Sequence, residues 1–201
     1  MNNEKFILEL FKRIKDLETR IRILEEKSDG REVMQKLTDN GSIKKITRNA
    51  AIHLVIKKLK KNNRQFDEIY KGNRSVEGDI ILVRKSNKDN NILRARFFHS
   101  KSHKSDYLFG WHTVSKLDTK NENYDLYIFT VAFNAKIYGF LILSFELQKI
   151  LENKSLNKNN IYNFNFSVIG SDKIVENRDG EVDVSDFYER WELPLDKIDL
   201  I

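Results

Sequence analysis

Residues 78–100, GDIILVRKSNKDNNILRARFFHS, contain two apolar stretches joined by a polar turn, a pattern that predicts a β-hairpin. Asp79 opens the first strand, and the second strand carries Arg94 and Arg96. Side chains of a strand alternate between its two faces, so both arginines point to one face. Charged side chains are rarely buried unless they are paired or lie in a cleft. The hairpin therefore predicts either a basic cleft or a structural network in which Arg94 pairs with Asp79 and Glu77.

The elements on either side of this hairpin predict an α/β domain. Ser42 is a candidate N-cap for a helix that ends near Asn62, and Ser144 for a second helix. Strands are expected at 66–71, 79–84, 92–99, 124–133, 137–143 and 162–169, and a last helix within 183–194. We interpret the stretch after residue 100 as a loop. The order predicts a mixed central sheet flanked by helices.

The N-terminal segment has a heptad pattern typical of a coiled coil. The candidate dimer-interface residues are Ile7, Leu10, Ile14, Leu17, Ile21 and Leu24. Isoleucine at every a position and leucine at every d position favour a parallel two-stranded coil. The alternative is an amphipathic helix that packs on its own domain. We predict a coiled-coil dimerisation helix at 1–29, which makes a homodimer, and an α/β domain at 30–201.

The composition limits the class of protein. The 201 residues carry a net charge of +6, which favours acidic partners such as nucleic acid. The absence of cysteine excludes disulfides and thiolate chemistry. The first residues lack the apolar run of a signal peptide, and the longest apolar run, 137–143, is too short to span a bilayer. We therefore expect a cytoplasmic protein without a membrane partner.

The order of helix, strand opened by Asp79, and hairpin to a second strand resembles the core of the PD-(D/E)XK nuclease superfamily. Residues 124–151 also resemble the strands and helix that follow this core in restriction-endonuclease-like members. The resemblance covers roughly residues 42–193. It implies a restriction-endonuclease-like fold, DNA as the partner, and Mg²⁺ held at Asp79.

The chain departs from this family at the positions that carry the chemistry. The family's second strand has an acidic residue or glutamine and then a lysine two places later, where this chain has Arg94 and Arg96. Arginine does not lose its proton and so does not act as a base. Magnesium requires several oxygen ligands. We therefore expect a degenerate active site without a cofactor. If activity survives, Asp79 and Glu77 would be catalytic, with Mg²⁺ as the cofactor.

A cleft whose metal ligands are replaced by guanidinium groups would still attract phosphate. The candidate nucleic-acid-binding residues are Arg94, Arg96, Lys57, Lys58, Lys60, Lys61, Lys101 and Lys104. The stretch 97–112, FFHSKSHKSDYLFGWH, mixes basic and aromatic residues, as nucleic-acid-facing loops and other exposed loops do. Its histidines, His99, His103 and His112, are weak candidates for a metal site.

Three functions fit these patterns. The first is a dimeric nucleic-acid-binding protein on a catalytically degenerate nuclease-like fold. The alternative is an active metal-dependent DNA endonuclease. A further alternative is a protein-binding or inhibitory module in phage–host conflict.

Overall fold

The computed structural model describes residues 13, 46–73, 78–85, 91–120, 124–170 and 173–194. The chain divides into two units, Met1–Lys44 and Lys45–Ile201, and all the described residues except Arg13 belong to the second. The heptad positions from Ile7 to Leu24 lie outside the described residues, as does Glu77. The coiled-coil dimer therefore stays a prediction.

The described part of the second unit contains three α-helices, nine strands and one 3₁₀ turn. The helices are α1 (Arg48–Asn62), α2 (Lys116–Lys120) and α3 (Ser144–Leu151). The strands are β1 (Glu68–Lys71), β2 (Ile80–Arg84), β3 (Asn91–Lys101), β4 (Leu108–Ser115), β5 (Leu126–Phe133), β6 (Lys136–Leu143), β7 (Ile161–Ile169), β8 (Lys173–Glu176) and β9 (Val182–Asp183). The 3₁₀ turn is Ser185–Phe187. None of the described helices is both long and apolar enough to cross a membrane.

Five strands form the main sheet, in the order β1-β2-β3-β5-β6. The pairs β1–β2 and β2–β3 are antiparallel, β3 pairs with β5 in parallel, and β5 and β6 form an antiparallel hairpin. The prediction of an α/β fold with a mixed sheet is confirmed. The strands β2 and β3 pair with each other, as the sequence pattern predicted, and Ile81 lies opposite Arg94.

The remaining strands form a second, antiparallel sheet in the order β4-β7-β8-β9. The prediction of a loop after residue 100 was wrong, because this stretch contains β4 and α2. The inward-facing positions of β4 are Leu108, Gly110, His112 and Val114. A glycine and a histidine interrupt the apolar alternation there, which explains why the strand was missed.

Both faces of the main sheet are buried. On one face, Ile52, Val55 and Leu59 of α1 belong to the same apolar cluster as Leu82 and Phe97. The other face packs against the second sheet and α3, and its cluster includes the stacked rings of Phe140 and Phe166. Burial on two sides accounts for the almost continuous apolar sequences of β5 and β6.

The ends of the helices differ from the sequence prediction. Helix α1 begins at Arg48, and its N-cap is Thr47 instead of Ser42; the Thr47 hydroxyl accepts a hydrogen bond from the Ala50 N–H at 3.3 Å. The N-cap of α3 is Leu143, not Ser144, and the Leu143 N–H donates to the carboxylate of Glu146 at 2.8 Å. The one-residue difference at α3 is of the size by which assigned helix ends ordinarily vary.

The expected last helix within 183–194 is reduced to the short 3₁₀ turn. Tyr188 instead forms an isolated bridge with Phe140 at the edge of the main sheet. Glu189 adopts a positive φ of 51°, and its carboxylate accepts the Gly139 N–H at 2.7 Å. These contacts with the edge of β6 hold the segment in an extended path that is incompatible with a helix.

Candidate nucleic-acid interface

Asp79 lies just before β2 and is almost fully buried. Its Oδ1 accepts a hydrogen bond from Arg48 Nη2 at 2.6 Å. Its Oδ2 accepts from the Phe97 N–H at 2.9 Å and from Arg96 Nη1 at 3.3 Å. The Asp79 carboxylate therefore accepts a backbone hydrogen bond of β3 just beyond the first residue of β2. Two guanidinium groups neutralise its charge.

Arg96 is also buried, with 8% of its side chain exposed. Its Nη1 pairs with Asp79, and its Nη2 pairs with Asp118 of α2 at 2.8 Å. The guanidinium carbon lies 5.9 Å from the ring centre of Phe98 and 5.5 Å from that of Tyr124. The sequence alone allowed a structural network of Arg94 with Asp79 and Glu77; in the structure the arginine of β3 that pairs with Asp79 is Arg96.

Arg94 is half-buried and lies beside a different acid. The backbone N–H of Arg94 donates to Asp125 Oδ2 at 2.8 Å. Burial raises the pKa of the Asp125 carboxyl, whereas the hydrogen bond and the positive charge of Arg94 act in the opposite direction. The two arginines share a face of β3, but only Arg96 reaches the buried Asp79.

The residues around Asp79 do not fit a magnesium ion. Both of its oxygens already accept hydrogen bonds, and Arg48 and Arg96 would repel a cation. Asp118, a second carboxylate in this network, is itself paired with Arg96. Within the part of the chain that the structure describes, no three His, Asp or Glu side chains are close enough to share a metal ion.

A cleft of about 380 Å³ opens beside this ion-pair chain. It lies where β3 and β4 separate into two sheets, beyond their shared bridge at Ser102 and Gly110. The residues that line it are Arg48, Phe97, Phe98, His99, Trp111, His112, Thr113, Ser115, Asp118 and Ile161. The cleft thus combines aromatic walls with one cationic and several hydrogen-bonding groups.

Arg48 is the functional candidate that sequence reasoning missed. Its side chain is 40% exposed, and its guanidinium carbon lies 5.3 Å from the ring centre of Phe97. Its Nη2 also donates to the Phe97 carbonyl at 3.1 Å, which fixes the orientation of the group. One signal was available: the first turn of α1 holds an arginine and no acid, where the helix dipole favours a negative charge.

Two histidines of this region, His99 and His112, have structural roles. His99 Nε2 donates to the Ile46 carbonyl at 3.1 Å, and its Nδ1 lies 3.0 Å from Thr130 Oγ1. Burial and, to a smaller extent, the charge of Arg48 lower the pKa of His99. Both of its ring nitrogens are engaged, so the arrangement does not support a metal site made by His99 and His103.

His112 is the most deeply buried of these histidines. Burial, together with the charges of His99 and His103, lowers its pKa to about 3. Its ring packs edge-on against Phe129 and Phe166 at 5.4 and 5.8 Å. His112 is therefore a neutral core residue near physiological pH.

Three aromatic residues of the 97–112 stretch, Tyr107, Phe109 and Trp111, lie just before β4 or on its outer face, whereas Phe97 and Phe98 are buried on β3. Trp111 is 50% exposed, and its ring centre lies 6.3 Å from that of His103. Phe109 packs edge-on against Tyr107 at 6.3 Å. Lys101 and Lys104, at the end of β3 and in the following loop, are exposed. Only part of the basic and aromatic mixture that the sequence showed is therefore exposed in the structure.

The lysines of α1 lie towards the end of that helix opposite to Arg48. Lys57, Lys60 and Lys61 are exposed, but Lys60 follows Arg48 by about 18 Å along the helix axis, given a rise of ~1.5 Å per residue. Lys58 is folded back: its Nζ donates to the Ile137 carbonyl at 3.0 Å and pairs with Glu189 at 3.2 Å. The exposed lysines of α1 are therefore too far from Arg48 to share one phosphate with it.

The comparisons with known proteins gave no match: no family model, no curated protein and no solved structure is significantly similar to this chain. The resemblance to PD-(D/E)XK nucleases therefore stays a prediction that rests on the order of the elements and on Asp79.

Proposed function

We propose that this protein binds nucleic acid, in the first instance DNA, on a nuclease-like fold that has lost its metal site. The observation that carries the proposal is the position of two arginines on Asp79, where the resemblance calls for a metal ion. Arg48, one of the two, remains 40% exposed at the cleft. A site that holds guanidinium groups in place of a cation keeps its attraction for phosphate.

The order of the elements supports the restriction-endonuclease-like part of the proposal. Helix α1 precedes a strand opened by Asp79, and an antiparallel partner, β3, follows it. Arg94 and Arg96 stand on β3 where the family has its acidic residue and lysine. The loss of the metal would follow from these two replacements together.

The basic groups have different roles in this proposal. Arg48, which lines the cleft, contacts a phosphate there, and the exposed Lys101 and Lys104, at the end of β3 and in the following loop, contact neighbouring phosphates. Arg96 positions Asp79 and Asp118 and does not contact the nucleic acid, because both of its terminal nitrogens are engaged by carboxylates. Contacts from Lys57, Lys60 and Lys61 would require a ligand long enough to follow α1.

Fluorescence anisotropy with labelled single-stranded and duplex DNA tests the proposal. We expect binding in EDTA whose affinity falls steeply with salt, since each phosphate contact contributes about 0.7 to 0.9 to the slope. The variant Lys101→Glu/Lys104→Glu should weaken binding and lower the slope. The control Lys57→Glu/Lys61→Glu makes the same charge change on exposed residues at the far end of α1. An equal loss in the control would move the interface to that helix.

The same samples test the alternatives. Cleavage in Mg²⁺ or Mn²⁺ that Asp79→Ala abolishes would overturn the non-catalytic proposal and establish the endonuclease. Absence of binding to every nucleic acid at low salt would overturn nucleic-acid binding altogether. The protein-binding module would then be the remaining hypothesis.

The homodimer is the part of the proposal that rests on sequence alone. Light scattering of the full chain should give twice the monomer mass, and Leu10→Asp/Leu17→Asp should give a monomer because it places charge at two d positions. A wild-type chain that is monomeric at all concentrations would remove the dimer from the proposal.

A further inference from the structure

The cleft beside Arg48 has the form of a site for one nucleotide. Its volume, about 380 Å³, lies within the range of small-ligand sites, which is roughly 300–1,000 Å³. Trp111 lines it and leaves half of its surface in solvent, although large aromatic side chains are usually covered. A ring at the wall of a polar cleft offers a flat surface on which a base can stack.

Arg48 supplies the group that a phosphate needs. Its two hydrogen bonds to Asp79 and to the Phe97 carbonyl both come from Nη2. Its Nη1 and Nε donate to no other residue in the described part of the chain, and neither atom is buried without a partner. The guanidinium is thus held in one orientation with donors left over, which suits an anionic oxygen.

The remaining lining groups suit the edge of a base or a sugar hydroxyl. Asp118 Oδ1 pairs with Arg96, and the carboxylate remains 20% exposed. Thr113 is exposed and Ser115 half-buried, and both present hydroxyls that donate or accept. The negative Asp118 would repel a phosphate, so the phosphate belongs at Arg48.

We propose that this cleft binds a single nucleotide unit, with its unpaired base stacked on Trp111 and its phosphate on Arg48. This inference rests on the proposed function, because nucleic-acid binding is the reason for choosing a nucleotide within a strand over a free nucleotide as the ligand. In a duplex both faces of each internal base are already stacked, so Trp111 can reach only a base in a single strand, an overhang or a flipped-out position.

Tryptophan fluorescence tests the inference directly. The chain has two tryptophans, and Trp191 is 7% exposed, so a ligand in the cleft should quench Trp111 and leave a constant background. The probes are thymidine, thymidine monophosphate, a ten-nucleotide single strand and a blunt duplex. We expect quenching by the single strand, and little by the blunt duplex. Quenching by the monophosphate as well, and more weakly by thymidine, would identify a free nucleotide as a second source.

Substitutions separate stacking from general electrostatics. Trp111→Ala should weaken single-strand binding by about 5- to 100-fold and leave duplex affinity unchanged, while Trp111→Phe should keep part of the affinity. The control Ile169→Ala removes a comparably exposed apolar side chain of the second sheet outside the cleft lining. Thermal unfolding of each variant checks that the fold is intact.

Two results would overturn the inference: no quenching by any probe, or a Trp111→Ala variant that binds the single strand as tightly as the wild type. Salt-dependent duplex binding alongside either result would leave the proposed function standing and remove only the stacking site. Quenching by the monophosphate without binding of any oligonucleotide would do the reverse, since the nucleotide site would stand and the proposed function would fall.

Discussion

Replacement of His112 by phenylalanine should remove much of the acid sensitivity of the fold. The imidazole is buried between the main and second sheets, and its pKa is lowered from 6.5 to about 3. A histidine that is neutral when folded and protonated when unfolded stabilises the protein above pH 6.5. This stability is lost as the pH falls from 6.5 towards 3, because only the unfolded state takes up the proton.

The size of the loss follows from the two pKa values. Between them, the free energy of unfolding falls by about 1.4 kcal/mol per pH unit, so the step from pH 6.5 to pH 5 costs about 2 kcal/mol. His112→Phe removes this contribution and places an aromatic ring against Phe129 and Phe166, which pack on the imidazole. His99, whose pKa is also lowered, contributes equally to both proteins.

Urea unfolding at pH 7.5 and pH 5 measures the difference. The wild type should lose about 2 kcal/mol more than His112→Phe between the two pH values. The control is His103→Phe, which removes an exposed histidine whose charge is the smallest of the three causes that lower the His112 pKa, so it should keep most of the wild-type loss. Parallel losses in the wild type and His112→Phe would show that His112 is not buried in its neutral form, and would contradict the packing of β4 described above.

Two further predictions concern the β5–β6 hairpin. Gly139→Ala should destabilise the fold by about 1–3 kcal/mol, because the new Cβ would lie 2.6 Å from the buried Trp191 ring; an unchanged urea midpoint would show that the ring can move. Ala135→Gly should stabilise it by about 0.5–1 kcal/mol, because Asn134 and Ala135 form the turn with positive φ values of 48° and 58°, where Asn-Gly is preferred. The control Lys136→Gly introduces glycine at a paired strand position and should lower the urea midpoint. Equal effects of the two substitutions would argue against positive φ values in the turn.

The local elements were the predictable part of the fold. The β2–β3 hairpin follows from two apolar runs and a polar turn, and the β5–β6 hairpin from two longer runs around Asn134. These patterns reflect contacts between residues close in the chain, so they are visible in the sequence. Strand β4 was missed because Gly110 and His112 occupy inward positions where a strand pattern predicts apolar side chains. Their presence is explained only by the residues of β5 that they contact. Gly110 faces Val131, and His112 faces Phe129.

The candidate site shows the same division. Asp79 and Arg96 were singled out from the chain, since a charge that opens a buried strand and an arginine on its partner require an explanation. Arg48 and Trp111 were not, because one is an ordinary helix residue and the other stood in an apparent loop. Their common position at the cleft depends on how α1 and β4 pack against β3.

The sequence by itself determined the alternation of strands and helices, the mixed character of the sheet, the basic charge, and the conflict between Asp79 and the arginines that follow it. The tertiary structure decided that the strands divide into two sheets, that Arg96 instead of Arg94 pairs with Asp79, and that Arg48 meets Trp111 across a cleft. The physical reason is range. Periodicity and turn chemistry act over a few residues, whereas an ion pair between residues 48 and 79 exists only after α1 has packed on the sheet.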